Sequence, residues 1–228
     1  MPEYASLHLY SWPTPNGQKP FIMLEETGLP YELHPIDITK GDQHEPGFLR
    51  ISPNNKIPAL VDMQGPGDKE IALFESGAIL VYLAEKTGKF LSTDPATRYT
   101  TLQWLFFQVG SIGPMLGQAY HFSVFADTKV PYAIDRYTKE ANRLYGVMDK
   151  HLSQAPYFAG RNYSIADISM FAWTMTFANI GIDIKDYPKV HEWLQRVVAR
   201  DAVKRGMSVL KDKQHVMSVE AKEILFGK

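Results

Sequence analysis

Two hydrophobic periods divide this sequence. Up to residue 88, short runs that alternate apolar and polar residues exchange with stretches of helical period; beyond Pro95 only the helical period remains. Leu7, Leu9 and Ser11 alternate with His8 and Tyr10, which predicts a short strand. After PTPNG, the spacing of Phe21, Ile22, Leu24 and Leu29 predicts a helix that stops at Gly28. Tyr31 to Asp37 predicts a second strand. Ala59 to Met63 and Glu70 to Phe74 flank QGPGDK, a hairpin signal of the longer-loop kind. A helix follows from Ser76 through Ile79, Leu80, Tyr82, Leu83 and Ala84 to a stop at Gly88.

The order β-α-β and then β-β-α implies a right-handed crossover and a small mixed sheet with helices packed on it. Such a set in under ninety residues matches the thioredoxin-like arrangement, so residues 1–88 are expected to form an α+β thioredoxin-like domain. Gly88 to Pro95 is small and polar, a connector. Ala96 to Phe125 carries a long helical pattern broken near Gly110, Gly113 and Pro114, where a kink is expected. Pro131–Leu152, Ser164–Ala178, Pro188–Ala199 and Asp201–Leu210 predict further helices, giving an all-α domain over 96–228. Trp104, Phe106, Phe107, Met115, Tyr120 and Phe122 form an apolar set expected mostly in its core, with some members walling a pocket. The tail after Lys211 reads as a short helix or a frayed end.

Composition removes several function classes. Lys and Arg number 24 against 25 Asp and Glu, a net charge of −1, so nothing marks a nucleic-acid partner. Residues 165–184 are the most apolar long stretch, yet Asp167, Thr174, Thr176, Asn179 and Asp183 interrupt it, which predicts a buried helix and not a membrane span. The first ten residues lack a basic region followed by an apolar run, so no secretory signal is read and a cytoplasmic location is expected. The chain has no cysteine, which excludes disulfides, Cys-ligated metals and a Cys nucleophile of its own. Any thiol chemistry must therefore use a thiol brought by a ligand. The seven His show no helical pair with a third carboxylate, so no metal is expected.

Four local features stand out. Ile57-Pro58 lies immediately before a strand, where thioredoxin-like folds hold a cis-proline that presents the preceding backbone to an extended ligand; standing alone, an X–Pro bond is cis only about one time in twenty. Glu75-Ser76 opens a helix. Ser76 is a good N-cap, and the free N–H groups there favour an anion such as a ligand carboxylate, although plain capping explains the residue equally well. Thr14 and Asn16 sit where the helix beginning near Gly17 needs caps. Ser164-x-x-Asp167 reads as a capping box with Tyr163 as a staple, making Asp167 a folding residue and not an acid catalyst.

These features, in order, resemble the cytosolic glutathione transferases over nearly the whole chain: the proline of SPNNKIPAL, ESGAI about twenty residues later, and Tyr163-Ser164-Ile165-Ala166-Asp167 in a helical domain. PTPNG, FLRISPNNKIPALVD, LFESGAIL, YLAEKTG, LQWLFFQVG, GPMLGQ and PYAIDRY are similar to the bacterial Nu-class members, glutathione-dependent disulfide reductases distantly related to a yeast nitrogen-regulatory prion protein. The resemblance implies that Glu75 binds the γ-glutamyl amino group, Ser76 its carboxylate, and the backbone of Ile57 the cysteinyl unit. It implies Gln43 and Lys56 near the glycine end, Thr14 and Asn16 beside the sulfur, and Arg136 reaching the ligand of a neighbouring subunit in a homodimer. Tyr10 is the rival sulfur partner, as in other classes of the family, and Ser11 a weaker one.

The chemistry is affordable for such a site. A thiol with a pKa near 8.5 needs about 2.7 kcal/mol of preferential thiolate stabilisation to fall two units. One hydrogen bond to the anion supplies roughly 1.5–3 kcal/mol and a helix N-terminus about 0.3–1 kcal/mol, so no general base is required. Disulfide reduction with glutathione as co-substrate is the expected activity. Conjugation of electrophilic small molecules is the alternative, and a non-catalytic glutathione-binding regulator the third, weakened by the lack of an Asn/Gln-rich extension.

Overall fold

The computed structural model describes residues 5–213 and 218–226. Its contacts divide the chain into two compact units, Met1–Thr87 with Lys204–Lys228, and Gly88–Val203. The helical domain expected over 96–228 is therefore corrected at its C-terminal end: the segment from Lys204 groups with the first unit. Its anchor is visible in the Arg205 guanidinium, whose Nε donates to Glu25 Oε2 at 2.7 Å. Gly206 allows a close approach, since a Cβ there would lie 2.7 Å from the backbone of Ile22.

The first unit is a four-stranded sheet of order β2-β1-β3-β4, built from β1 (Leu7–Ser11), β2 (Tyr31–Pro35), β3 (Ala59–Asp62) and β4 (Ile71–Phe74). β1 runs parallel to β2 and antiparallel to β3, and β3 antiparallel to β4, as the predicted crossover and hairpin require. Helix α1 (Pro15–Thr27) starts two residues before the expected Gly17, because Pro15 takes the first helical position, where its missing N–H costs nothing. It ends on Gly28 at φ 73°, a left-handed C-cap that glycine adopts without penalty. A one-turn helix α2 (Pro46–Leu49) is too short for periodicity to reveal. α3 (Ser76–Thr87) packs against α1, and Ile79, Leu80 and Leu83 on the one and Phe21, Ile22 and Leu24 on the other are buried.

In the second unit the long pattern resolves into α4 (Pro95–Phe107), a π turn over Gln108–Ile112, α5 (Gly113–Tyr120) and a second π turn over His121–Phe125. The expected break thus takes the form of an inserted residue per turn, a common cause of helix bending. Buried Gln108 accepts there from Ser169 Oγ at 2.6 Å. α6 (Pro131–Leu152), α7 (Ile165–Thr174) and α8 (Pro188–Val198) follow; α9 (Asp201–Ser208) runs from the end of this unit into the segment that groups with the first, and α10 (Val219–Phe226) lies in that segment, whose residues 214–217 and 227–228 are outside the described set, as are the first four residues. No described helix is long and apolar enough to cross a membrane. The apolar set needs correction: the buried stripe along α4, the first π turn and α5 includes Thr101, Leu105, Ile112, Leu116 and Ala119, whereas Trp104, Phe107, Met115, Tyr120 and Phe122 are half-buried and Phe106 is 65% exposed. The aromatics sit on the flanks of the stripe, one position off its period.

Candidate active site

At the end of β1 the chain turns sharply. Thr14 N–H donates to Trp12 O at 2.7 Å, and Thr14 Oγ1 accepts from Gly17 N–H at 3.2 Å, capping α1. Gly17 is required by space: a Cβ would stand 1.9 Å from Trp12 O. The expected capping role of Thr14 is met, and a hydroxyl whose oxygen accepts still has a proton to donate. Both rivals are engaged elsewhere. Ser11 is wholly buried and its Oγ donates to Gly17 O at 3.2 Å. Tyr10 stacks on His34 with ring centroids 4.5 Å apart, and burial, then the Glu32 and Glu70 carboxylates, raise its pKa above the ordinary phenol value.

Beyond this turn a cleft of about 300 Å³ is lined by Asn16, Asn54, Lys56, Ile57, Pro58, Phe74, Glu75 and Ser76. Five of the sequence-predicted residues, Asn16, Lys56, Ile57, Glu75 and Ser76, are thus brought together, and the Ile57–Pro58 peptide bond is cis. Glu75 adopts φ 72°, the left-handed region, where a residue with a side chain is strained by about 1–3 kcal/mol and which glycine would occupy at ease. A carboxylate kept at such a position points to a task for the side chain. Thr14 is not among the lining residues. Gln43 is buried outside the lining, its Nε2 donating to Ile38 O at 3.4 Å while Oε1 has no partner among the described residues. Arg136 lies on α6 of the other unit, in a separate cleft of about 540 Å³ with Met115, Tyr132 and Arg143.

One residue that periodicity conceals completes the site. Lys19, on α1, is 1% exposed, and its Nζ donates to Ser76 Oγ at 3.1 Å. Burial pulls its pKa down to about 7, opposed by the nearby Glu75 carboxylate. With the Ser76 oxygen accepting from Lys19, the hydroxyl proton is left for another acceptor, beside the unsatisfied N–H groups that open α3. A buried ammonium, a hydroxyl and a helix N-terminus converge on one point, which is the chemistry of a carboxylate site. Two lining residues, Asn54 and Phe74, are not anticipated; Asn54 is signalled only by its place close to Lys56 in SPNNKIP, and Phe74 by its place beside Glu75.

A thioredoxin-like unit with a cis-proline and an acid-serine pair at the cleft, followed by a helical unit, defines a class of glutathione-binding protein. The chain belongs to the glutathione S-transferase family: it matches the Glutathione S-transferase, N-terminal domain over residues 5–85 and the Glutathione S-transferase, C-terminal domain over residues 114–201. Among named relatives it is 52% identical to the disulfide-bond oxidoreductase YfcG of Escherichia coli (strain K12) over 206 residues, 90% of this chain and 95% of that protein. Among solved structures it is similar to a glutathione transferase family member from Pseudomonas fluorescens pf-5 with two glutathione bound, at TM-score 0.85 and 49% identity over 89% of this chain and 92% of that one. A glutathione transferase from Pseudomonas putida, with one glutathione disulfide bound per subunit, matches at TM-score 0.85 and 46% identity over 90% and 92%.

Proposed function

We propose that this chain is a glutathione-dependent disulfide-bond reductase in which glutathione supplies both thiols. The observation that carries the reading is the cleft where Ser76, backed by the buried Lys19 ammonium, stands with Glu75, Ile57 and Asn16 in a chain that has no cysteine. Glu75 takes the γ-glutamyl ammonium and Ser76 with the α3 N-terminus its carboxylate. The Ile57 backbone pairs with the cysteinyl unit, Lys56 and Gln43 serve the glycine end, and the sulfur lies against Thr14 and Asn16. Arg136 is assigned to the ligand of a partner subunit in a cytoplasmic homodimer.

The bound thiolate attacks one sulfur of a small or mixed disulfide. A new S–S bond to glutathione forms as the old one breaks, and the departing thiolate takes a proton from water. A second glutathione thiolate attacks the glutathione sulfur of the mixed disulfide, releasing the second thiol and glutathione disulfide, so two thiols are oxidised for one disulfide reduced. Binding of two glutathiones, or of one glutathione disulfide, by the two Pseudomonas relatives is in keeping with this stoichiometry. A moderately lowered thiol pKa suits such exchange, because nucleophilicity falls with pKa.

Thr14→Ala is expected to lower kcat for glutathione-dependent reduction of hydroxyethyl disulfide about 10–100-fold, the worth of one hydrogen bond to an anion, while Thr14→Ser retains most of it. Far-UV circular dichroism is unchanged in both. Full activity in Thr14→Ala together with its loss in Tyr10→Phe moves the thiolate to Tyr10.

A further inference from the structure

We propose that His8, Glu32 and His34 form a binding site for a divalent zinc-type cation on the face of the sheet shared by β1 and β2. The parallel register pairs His8 with Glu32 and Tyr10 with His34. With a side-chain period of two, His8 and Tyr10 leave β1 on the face opposite buried Leu7, Leu9 and Ser11, and Glu32 and His34 leave β2 beside them. The donor groups lie close together: His8 Nδ1 to His34 Nε2 is 3.1 Å, His8 Nδ1 to Glu32 Oε2 3.4 Å, and His34 Nε2 to the other carboxylate oxygen, Glu32 Oε1, 3.6 Å, with one ligand atom from each residue within 4.8 Å of the others.

Those lengths are what one ion requires. Zinc bonds of about 2.0–2.1 Å in tetrahedral directions place ligand atoms about 3.3–3.4 Å apart. The imidazole–imidazole separation and the nearest imidazole–carboxylate separations lie on either side of that value, and rotation of the exposed Glu32 carboxylate brings one of its oxygens to both imidazoles. The rings are held in advance: Tyr10 stacks on His34 at 4.5 Å and 12°, and the His8 and His34 side chains are only 24% and 32% exposed. Two imidazole nitrogens with one carboxylate suit zinc and its d-block neighbours over calcium or magnesium, which prefer all-oxygen shells. Three protein donors leave the fourth position to water or to an external ligand. None of the three lines the glutathione cleft, so the site is separate from it. Its bland rival is a surface hydrogen bond between two imidazoles with Glu32 as acceptor.

The test is a calorimetric titration of tag-free protein with Zn²⁺ in thiol-free buffer, repeated on His8→Ala/His34→Ala and on Glu32→Gln. The expected result is one equivalent bound by the wild type, loss of that equivalent in the double variant, and affinity weakened about tenfold or more in Glu32→Gln as a ligand oxygen is lost. Substitution with Co²⁺ gives the wild type the visible absorption of a tetrahedral ion, absent in the double variant. Glutathione binding persists in all, which shows the fold intact. If the double variant does not fold, Glu32→Gln, at an exposed position, carries the same test. No Zn²⁺ bound by the wild type, or an equivalent unchanged in the variants, overturns the proposal and leaves the hydrogen-bonded cluster alone.

Discussion

Replacing Asp167 with alanine is expected to lower folding stability by about 3–5 kcal/mol, the cost of orphaning a buried network of donors. The carboxylate is wholly buried and accepts from four of them: Phe158 N–H at 3.1 Å, Ser164 N–H and Oγ–H both at 3.0 Å, and Trp193 Nε1–H at 2.9 Å. It therefore ties the capping box of α7 to the largest buried side chain of α8 and to the loop before Ser164. Burial pushes its pKa up to about 6 even as the donors pull it down, so the interaction is held at the expense of desolvation. For a chain of this size the loss is worth roughly 6–20 °C in Tm. Ser164→Ala, which leaves the carboxylate its other partners, is expected to cost about 1 kcal/mol. Urea or thermal melts followed by circular dichroism measure both. A cost for Asp167→Ala no larger than that for Ser164→Ala contradicts the network, and glutathione chemistry persisting below the melting range of Asp167→Ala separates its role from catalysis.

Lys19→Met is expected to move stability and binding in opposite directions. A buried ammonium is expensive, and an apolar side chain of similar volume in its place is commonly neutral or stabilising by about 1–4 kcal/mol. The Lys19 pKa falls from an ordinary value near 10.5 to about 7 in the fold, so folding releases its proton between those values. Stability owed to this group is full above about pH 10.5 and is lost as pH falls through about 7; the gain from Lys19→Met is accordingly largest at neutral pH and below. Binding has the reverse sense. A γ-glutamyl carboxylate on Ser76 needs Lys19 charged, so wild-type affinity for S-methylglutathione, which has no thiol to ionise, weakens as pH rises from 6 to 8. Removing one partner of a buried charge pair costs about 2–5 kcal/mol, so Lys19→Met is expected to raise the Kd of that ligand from tens to thousands of fold and to flatten its pH profile. Calorimetry between pH 6 and 8 reads both. Unchanged affinity with the pH dependence intact removes Lys19 from the site.

Local chemistry was legible in the sequence wherever one short segment carried it. Gly28 and Gly88 stop their helices at φ 73° and 67°, the Ser164 capping box stands as spelled, and the acid-serine pair falls at the start of α3. What stayed hidden depends on contacts distant in sequence. Lys19 looks like a solvated helix lysine until α1 packs on α3 and places it against Ser76, 57 residues away. The His8, Glu32 and His34 cluster needs the register of two strands joined through a whole helix, and a search at helical spacing misses a group built on strand spacing. The grouping of Lys204–Lys228 with the first unit involves contacts such as Arg205 with Glu25, 180 residues apart, which no window of local periodicity contains.

The most direct measurement is a paired assay of the purified chain with glutathione, offered hydroxyethyl disulfide in one series and chlorodinitrobenzene in the other. Rapid reduction of the disulfide, with two glutathiones consumed per turnover and only slow conjugation of chlorodinitrobenzene, is the predicted result. Rapid conjugation with slow disulfide reduction makes the chain an ordinary transferase, and glutathione binding without turnover of either makes it a non-catalytic binder; each contradicts disulfide reduction as its activity.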